Sequence, residues 1–220
     1  MTKRVQRLIT FGDSFTYGQE LTNPEESSWP KLVANHLNVE LKNTAFPGNS
    51  NDRMMEQVLQ ESYTFFDFAI VCFSARTRFY FEDDKGWFTT IHEMNVENLE
   101  RAKLTKQLFL IANEEWLYRR WLTQVIYIQE FLKSRNVKYL FANAFSKENY
   151  FDLYKNKKYR HLLDLINTNN FIGWPDETFN SMTSSLPRGQ FRHPLEESHA
   201  FFANVINKNL KNIYDLPNNF

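Results

Sequence analysis

The first group in this 220-residue sequence equipped for covalent chemistry is a serine that follows a short apolar run through a glycine turn. Arg7-Leu8-Ile9-Thr10-Phe11 runs directly into Gly12-Asp13-Ser14-Phe15-Thr16-Tyr17-Gly18. A serine on a tight strand-to-helix turn lifts its hydroxyl above the sheet, beside backbone N–H groups that can stabilise an oxyanion. Gly-Asp-Ser also occurs by chance as an ordinary turn, so its place at the end of the first strand carries the argument. Asp13 is expected to tie the turn down by accepting backbone N–H groups, as short acidic side chains do. Farther along, Arg76 reads as a hydrogen-bond donor; alternatively Arg76 and Arg78 form a clamp for an anionic group or are solvated charges. Glu82-Asp83-Asp84 lacks histidine and fixed ligand spacing, so it reads as a solvated loop, and no metal or cofactor site is expected. Cys72 lies inside an apolar strand and is expected to be inert. The rings of Phe79-Tyr80-Phe81 and Trp87-Phe88 either wall a groove or pack in the core.

Positioning these groups requires a sheet. Residues 65–73 (FFDFAIVCF) form a nearly continuous apolar run, the pattern of a strand covered by helices on both faces. Residues 39–43 alternate as a strand nearer an edge, and residues 137–142 form another strand. Helical spacing of apolar residues marks a helix beginning at Ser27-Ser28-Trp29-Pro30, a second around Met54 to Leu59, and a helical stretch from Leu99 to Arg135. A last helix opens at Pro194 and runs through Leu210. Apolar strands alternating with helices predict an α/β chain, a three-layer α/β/α sandwich around a mostly parallel sheet. In such sheets ligands gather at the carboxyl ends of the strands, here after Phe11, Asn43, Phe73 and Ala142.

Bulk composition narrows the function classes. Lys+Arg and Asp+Glu both number 26, a balance that argues against nucleic acid as partner, because phosphate binding draws on an excess of cations. No apolar stretch is long enough for a membrane span. The N-terminal stretch lacks the apolar core of a signal peptide, and one cysteine excludes an intrachain disulfide. A cytoplasmic location is the resulting expectation. Glycine is scarce at 6 residues, where average usage of about 7% would give roughly 15, so each is expected where the backbone demands it.

Three stretches together resemble the SGNH (GDSL-like) serine hydrolases. Phe11-Gly12-Asp13-Ser14-Phe15-Thr16 resembles the family's first block, with Ser14 as the nucleophile. Asn43-Thr44-Ala45-Phe46-Pro47-Gly48-Asn49-Ser50-Asn51 is similar to the second, where the family's glycine donates a backbone N–H to the oxyanion hole and points to Gly48. Arg192-His193-Pro194 resembles the closing block, in which a His-Pro pair precedes the final helix and the histidine is the general base. That role falls to His193, with His199 as second choice; His36, His92 and His161 match nothing. The resemblance implies a flavodoxin-like single domain over residues 1–220, with substrate loops at 74–98 and 146–190. It implies acyl transfer, with His193 taking the Ser14 proton and the Ser14 and Gly48 N–H groups holding the oxyanion.

Two positions depart from the family pattern. The asparagine of the third block falls on or near Arg76, with the Thr77 hydroxyl as an alternative donor. The aspartate expected three residues before the histidine is Gln190, which leaves a Ser-His dyad, a glutamine acceptor, or an acid from elsewhere, with Asp176 and Glu177 as candidates. The expected function is hydrolysis of an ester-linked acyl group on a carbohydrate or small metabolite. The competing expectation is a weakened relative that binds a glycan or other ligand in the same cleft. The sequence does not set the oligomeric state.

Overall fold

A computed structural model describes residues 5–84, 86–89, 99–145 and 157–214. Its central sheet has four parallel strands in the order β2-β1-β3-β6, formed by β1 (Arg7–Phe11), β2 (Glu40–Asn43), β3 (Asp67–Phe73) and β6 (Lys138–Asn143). The fold is therefore the α/β, mostly parallel architecture that the alternating pattern predicts. Central β3 is buried along its whole length. Ala69, Val71 and Phe73 face one helix layer, while Phe68, Ile70 and Cys72 face the other. That alternation is why its sequence shows no polar face.

One layer comprises α4 (Asn51–Gln60) and α6 (Glu114–Ser134), which bury Met54, Val58, Tyr118, Trp121, Val125 and Ile128. The other comprises α3 (Trp29–Leu37) and α9 (Glu196–Tyr214), which bury Trp29, Val33, Phe202, Ile206 and Leu210. Short helices α1 (Ser14–Tyr17) and α2 (Pro24–Ser27) lead from β1 to α3. Burying an aliphatic or aromatic side chain of this size contributes about 1.5–3 kcal/mol, so these two layers dominate stability.

The structure differs from the sequence reading in several places. The first strand residues of the 65–73 run begin only at Asp67, because residues 64–67 turn, with Asp67 N–H donating to Thr64 O and the Asp67 carboxylate pairing with Arg7 at 2.7 Å. The helical stretch 99–135 is two helices, α5 (Leu99–Ile111) and α6. Asn113 divides them, its side chain accepting Trp116 N–H at 2.8 Å as the cap of α6. The segment after β3 holds an antiparallel hairpin, β4 (Tyr80–Asp83) and β5 (Gly86–Thr89). Short helices α7 (Arg160–Leu163) and α8 (Phe179–Met182) lie in the loop-rich stretch before α9, and Phe171 bridges in parallel to Phe141 on the β6 edge. No described helix is long and apolar enough to cross a membrane, and no described group of three His, Cys, Asp or Glu could hold a metal ion.

Candidate active site

Four turns at the carboxyl ends of the strands meet around Ser14. In the first, Asp13 caps α1, its Oδ1 accepting Phe15 N–H at 3.0 Å. A side chain at Gly12 would collide with Thr16, so the turn closes only around glycine. Ser14 opens α1 and is 4% exposed.

The second turn runs Phe46-Pro47-Gly48-Asn49, with Asn49 N–H donating to Phe46 O and Gly48 at φ 77, the left-handed value that a Pro-Gly turn of this type demands. Asn49 Nδ2 donates to Gly12 O and to Gln57 Oε1, both at 2.9 Å, pinning this turn against the first. Neither the Ser14 nor the Gly48 backbone N–H donates a hydrogen bond among the described residues. Two adjacent turns thus present two open donors.

The third turn follows β3. Asn51 brackets Ser74, donating to its carbonyl at 3.0 Å and accepting its N–H at 2.8 Å. Ser74 Oγ and Arg78 Nη1 both donate to Asp13 Oδ2, at 2.8 and 3.0 Å. Burial pushes the Asp13 carboxyl up and the Arg78 guanidinium down, and their mutual attraction opposes both shifts. Arg76 lies in the same turn, but its guanidinium pairs with Glu114 on α6 and sits over the Tyr118 ring. Thr77 is half-buried in that turn. Arg120 on α6 donates to the carbonyls of Arg76 and Arg78 and pairs with Asp52, which also accepts Tyr80 N–H and Gln124. Phe79 stacks on Trp116 at 5.8 Å, so this ring of the aromatic tract packs rather than walls a groove.

The fourth turn contributes Phe145, whose ring lies 4.6 Å from the Arg78 guanidinium carbon and 5.0 Å from the Phe15 ring. Phe15 in turn meets the His193 ring edge-on at 5.7 Å. Arg78, Phe145, Phe15 and His193 therefore form one continuous chain of contacts.

His193 Nδ1 lies 2.8 Å from Glu20 Oε2. The turn 189–193 closes on itself and wraps the same carboxylate, with Phe191 N–H donating at 3.0 Å and His193 N–H at 3.1 Å. A Cβ at Gly189 would sit 2.5 Å from the Glu20 carboxyl carbon, so this glycine makes room for an acid rather than for a backbone angle. Burial alone would raise the Glu20 carboxyl, but the Phe191 N–H and the His193 ring and N–H outweigh it and hold it below the usual range. Gln190 is exposed in this turn, Asp176 and Glu177 are exposed, and the acid on the ring is Glu20. Among the described residues, Ser14 and His193 are not hydrogen-bonded to each other, and Nε2 is the His193 ring nitrogen that makes no hydrogen bond.

His199, six residues on, is fully buried and its Nδ1 accepts Trp29 N–H at 3.0 Å. Desolvation pushes its pKa down to about 4. Cys72 is buried and its thiol pushed up by desolvation. His36 and His161 are exposed, and His92 lies outside the described residues. Sequence reasoning missed Glu20 altogether. The available signal was a single acid between Asp13 and Glu25, just past the Gly18 cap of the serine turn.

No family model and no curated protein matches the chain. Solved structures do. A putative lipolytic protein of the G-D-S-L family from Desulfitobacterium hafniense aligns at 11% identity, covering 93% of this chain and 99% of its own, with a TM-score of 0.52. The psychrotrophic esterase EstA from Pseudoalteromonas, in a form inhibited by monoethylphosphonate, aligns at 11% identity over 96% of this chain and 99% of its own, TM-score 0.55. A carbohydrate esterase whose active site displays divergent catalytic and non-catalytic binding functions aligns at 14% identity over 98% of this chain and 71% of its own, TM-score 0.56. The serine turn thus stands at the head of an SGNH hydrolase fold.

Proposed function

We propose that this protein hydrolyses an ester-linked acyl group through Ser14, His193 and Glu20. The observation that carries the reading is the Glu20 carboxylate at 2.8 Å from His193 Nδ1, with the His193 ring packed on Phe15, the residue after a serine whose backbone N–H is open. A carboxylate on Nδ1 fixes the proton there, leaves Nε2 as the base, and stabilises the imidazolium formed during reaction. Ser14 Oγ attacks the acyl carbon while its proton passes to His193 Nε2, and the carbonyl electron pair moves onto oxygen beside the Ser14 and Gly48 N–H groups. The tetrahedral species collapses, and the leaving alcohol takes the proton from Nε2. Water, deprotonated by the same nitrogen, then attacks the acyl-serine; the Ser14 Oγ–carbon bond breaks, the acid leaves, and the proton returns from Nε2 to Ser14 Oγ. No metal or cofactor takes part in these steps. Likeness to a carbohydrate esterase supports an acylated sugar as substrate class, with a small acylated metabolite as the other member of that class.

A second reading, a binding protein with a weakened site, is favoured by the missing Ser14–His193 hydrogen bond. Free enzymes also show such contacts loosened, and they tighten with substrate. Treating the protein with a fluorophosphonate probe and p-nitrophenyl acetate separates the two. Labelling and turnover that vanish in Ser14→Ala and in His193→Ala support the hydrolase. Absence of labelling and of turnover leaves the binding protein, and turnover that survives Ser14→Ala rules out the serine mechanism.

A further inference from the structure

The ester-hydrolase reading gives the oxyanion two backbone donors, and Arg76 turns its Nη2 to Glu114 on α6. Arg78, two residues on in the same turn, reaches the serine turn through Asp13. Its Nη1 donates at once to Asp13 Oδ2 at 3.0 Å, Asn49 O at 3.2 Å and Ser74 Oγ at 2.6 Å. Asp13 precedes Ser14 and Asn49 follows Gly48, so this one nitrogen borders both residues whose N–H groups are open. Arg78 Nε and Nη2 make no hydrogen bond among the described residues, and the side chain keeps 14% of its surface. The guanidinium is held flat by Phe145 at 4.6 Å, and its backbone is gripped by Arg120.

We propose that Arg78 is the side-chain donor of the oxyanion site, acting with the backbone N–H groups of Ser14 and Gly48. The inference rests on the hydrolase reading. Asp13 cancels most of the standing positive charge, so the pair offers little to a permanently anionic substrate. What it offers is a rigid, pre-oriented N–H edge for charge that appears only when Ser14 Oγ bonds to the acyl carbon. Arg78 stays protonated throughout and transfers no proton.

The test compares wild type, Arg78→Ala and Arg78→Lys on p-nitrophenyl acetate and on the mono-p-nitrophenyl ester of succinate, with folding checked by thermal melting. The expected result is a fall in kcat of about 10²–10³-fold in Arg78→Ala with KM within about twofold on the neutral ester. Millimolar guanidinium is expected to restore part of that loss in Arg78→Ala and none in wild type, which a purely structural role would not produce. If Arg78→Ala does not fold, Arg78→Lys decides, because its ammonium keeps a charge beside Asp13 but lacks the fork. Loss of kcat by about tenfold or more in folded Arg78→Lys supports the role. Wild-type kcat in either folded variant overturns it, as does a loss confined to KM on the succinate ester. Wild-type turnover that depends on Ser14 while the Arg78 variants keep kcat sinks this inference alone. Absence of Ser14-dependent turnover in the wild type sinks the hydrolase reading with it.

Discussion

His193 and His199 sit six residues apart at the start of the same helix, yet their surroundings give them opposite chemistry. At His193, Nδ1 meets a carboxylate and Nε2 is left open. At His199, Nδ1 accepts a backbone N–H from Trp29, which places the proton on the buried Nε2. The first arrangement leaves Nε2 clear of the carboxylate that holds Nδ1, and in the second desolvation disfavours the charged ring. The partner of Nδ1, more than the ring's place along the chain, separates a base from a packing residue.

That contrast can be broken most severely at His193. Replacing it with alanine is expected to lower kcat on p-nitrophenyl acetate by roughly 10⁴-fold or more, measured by initial rates, because the serine loses its proton acceptor. Glu20→Gln keeps the shape of the carboxylate but removes its charge, and is expected to lower kcat by roughly 10²–10⁴-fold with little change in KM. Wild-type kcat in that variant would remove Glu20 from the mechanism.

The His199 side of the comparison is a matter of stability. Its folded-state pKa of about 4 lies below the ordinary 6.5, so the unfolded chain takes up the proton first as pH falls. The associated stability is present above pH 6.5 and lost as pH falls toward and through 4, by a total of about 3 kcal/mol. Denaturant melts at pH 7 and pH 4 should show that loss in the wild type and a flatter profile in His199→Gln, whose fluorophosphonate labelling at pH 7 is expected to match the wild type. Gly189→Ala is the gentlest perturbation. A methyl in contact with the Glu20 carboxyl group should loosen the His193 turn and lower kcat about tenfold, with the folded state retained by circular dichroism.

Much of this architecture was legible in the sequence. β3 announced itself because both its faces are buried, so burial wrote an unbroken apolar run. The Pro47-Gly48 turn and the Gly12-Asp13-Ser14 turn are local structures whose residue types set their geometry. The break at Asn113 was harder to read, because α5 and α6 abut and their apolar residues blur into one helical stretch. Glu20 was hidden for a different reason. Its contact with His193 spans 173 positions, so the single acid past the Gly18 cap could not be tied to the histidine from local sequence. The scarcity of glycine did point at Gly189, although the demand there comes from a neighbouring carboxylate and not from the backbone. Arg78 was visible only as one of two arginines, and the third dimension separated them: one turns to α6, the other to Asp13.

The central claim is that a carboxylate 173 positions away equips His193 to activate Ser14. The most direct measurement is the second-order rate of Ser14 phosphonylation by a fluorophosphonate, followed by intact mass at pH 7 in wild type and Glu20→Gln. A single adduct on Ser14 is expected, forming about a hundredfold or more slowly in the variant. Equal rates, or an adduct on another residue, would contradict it.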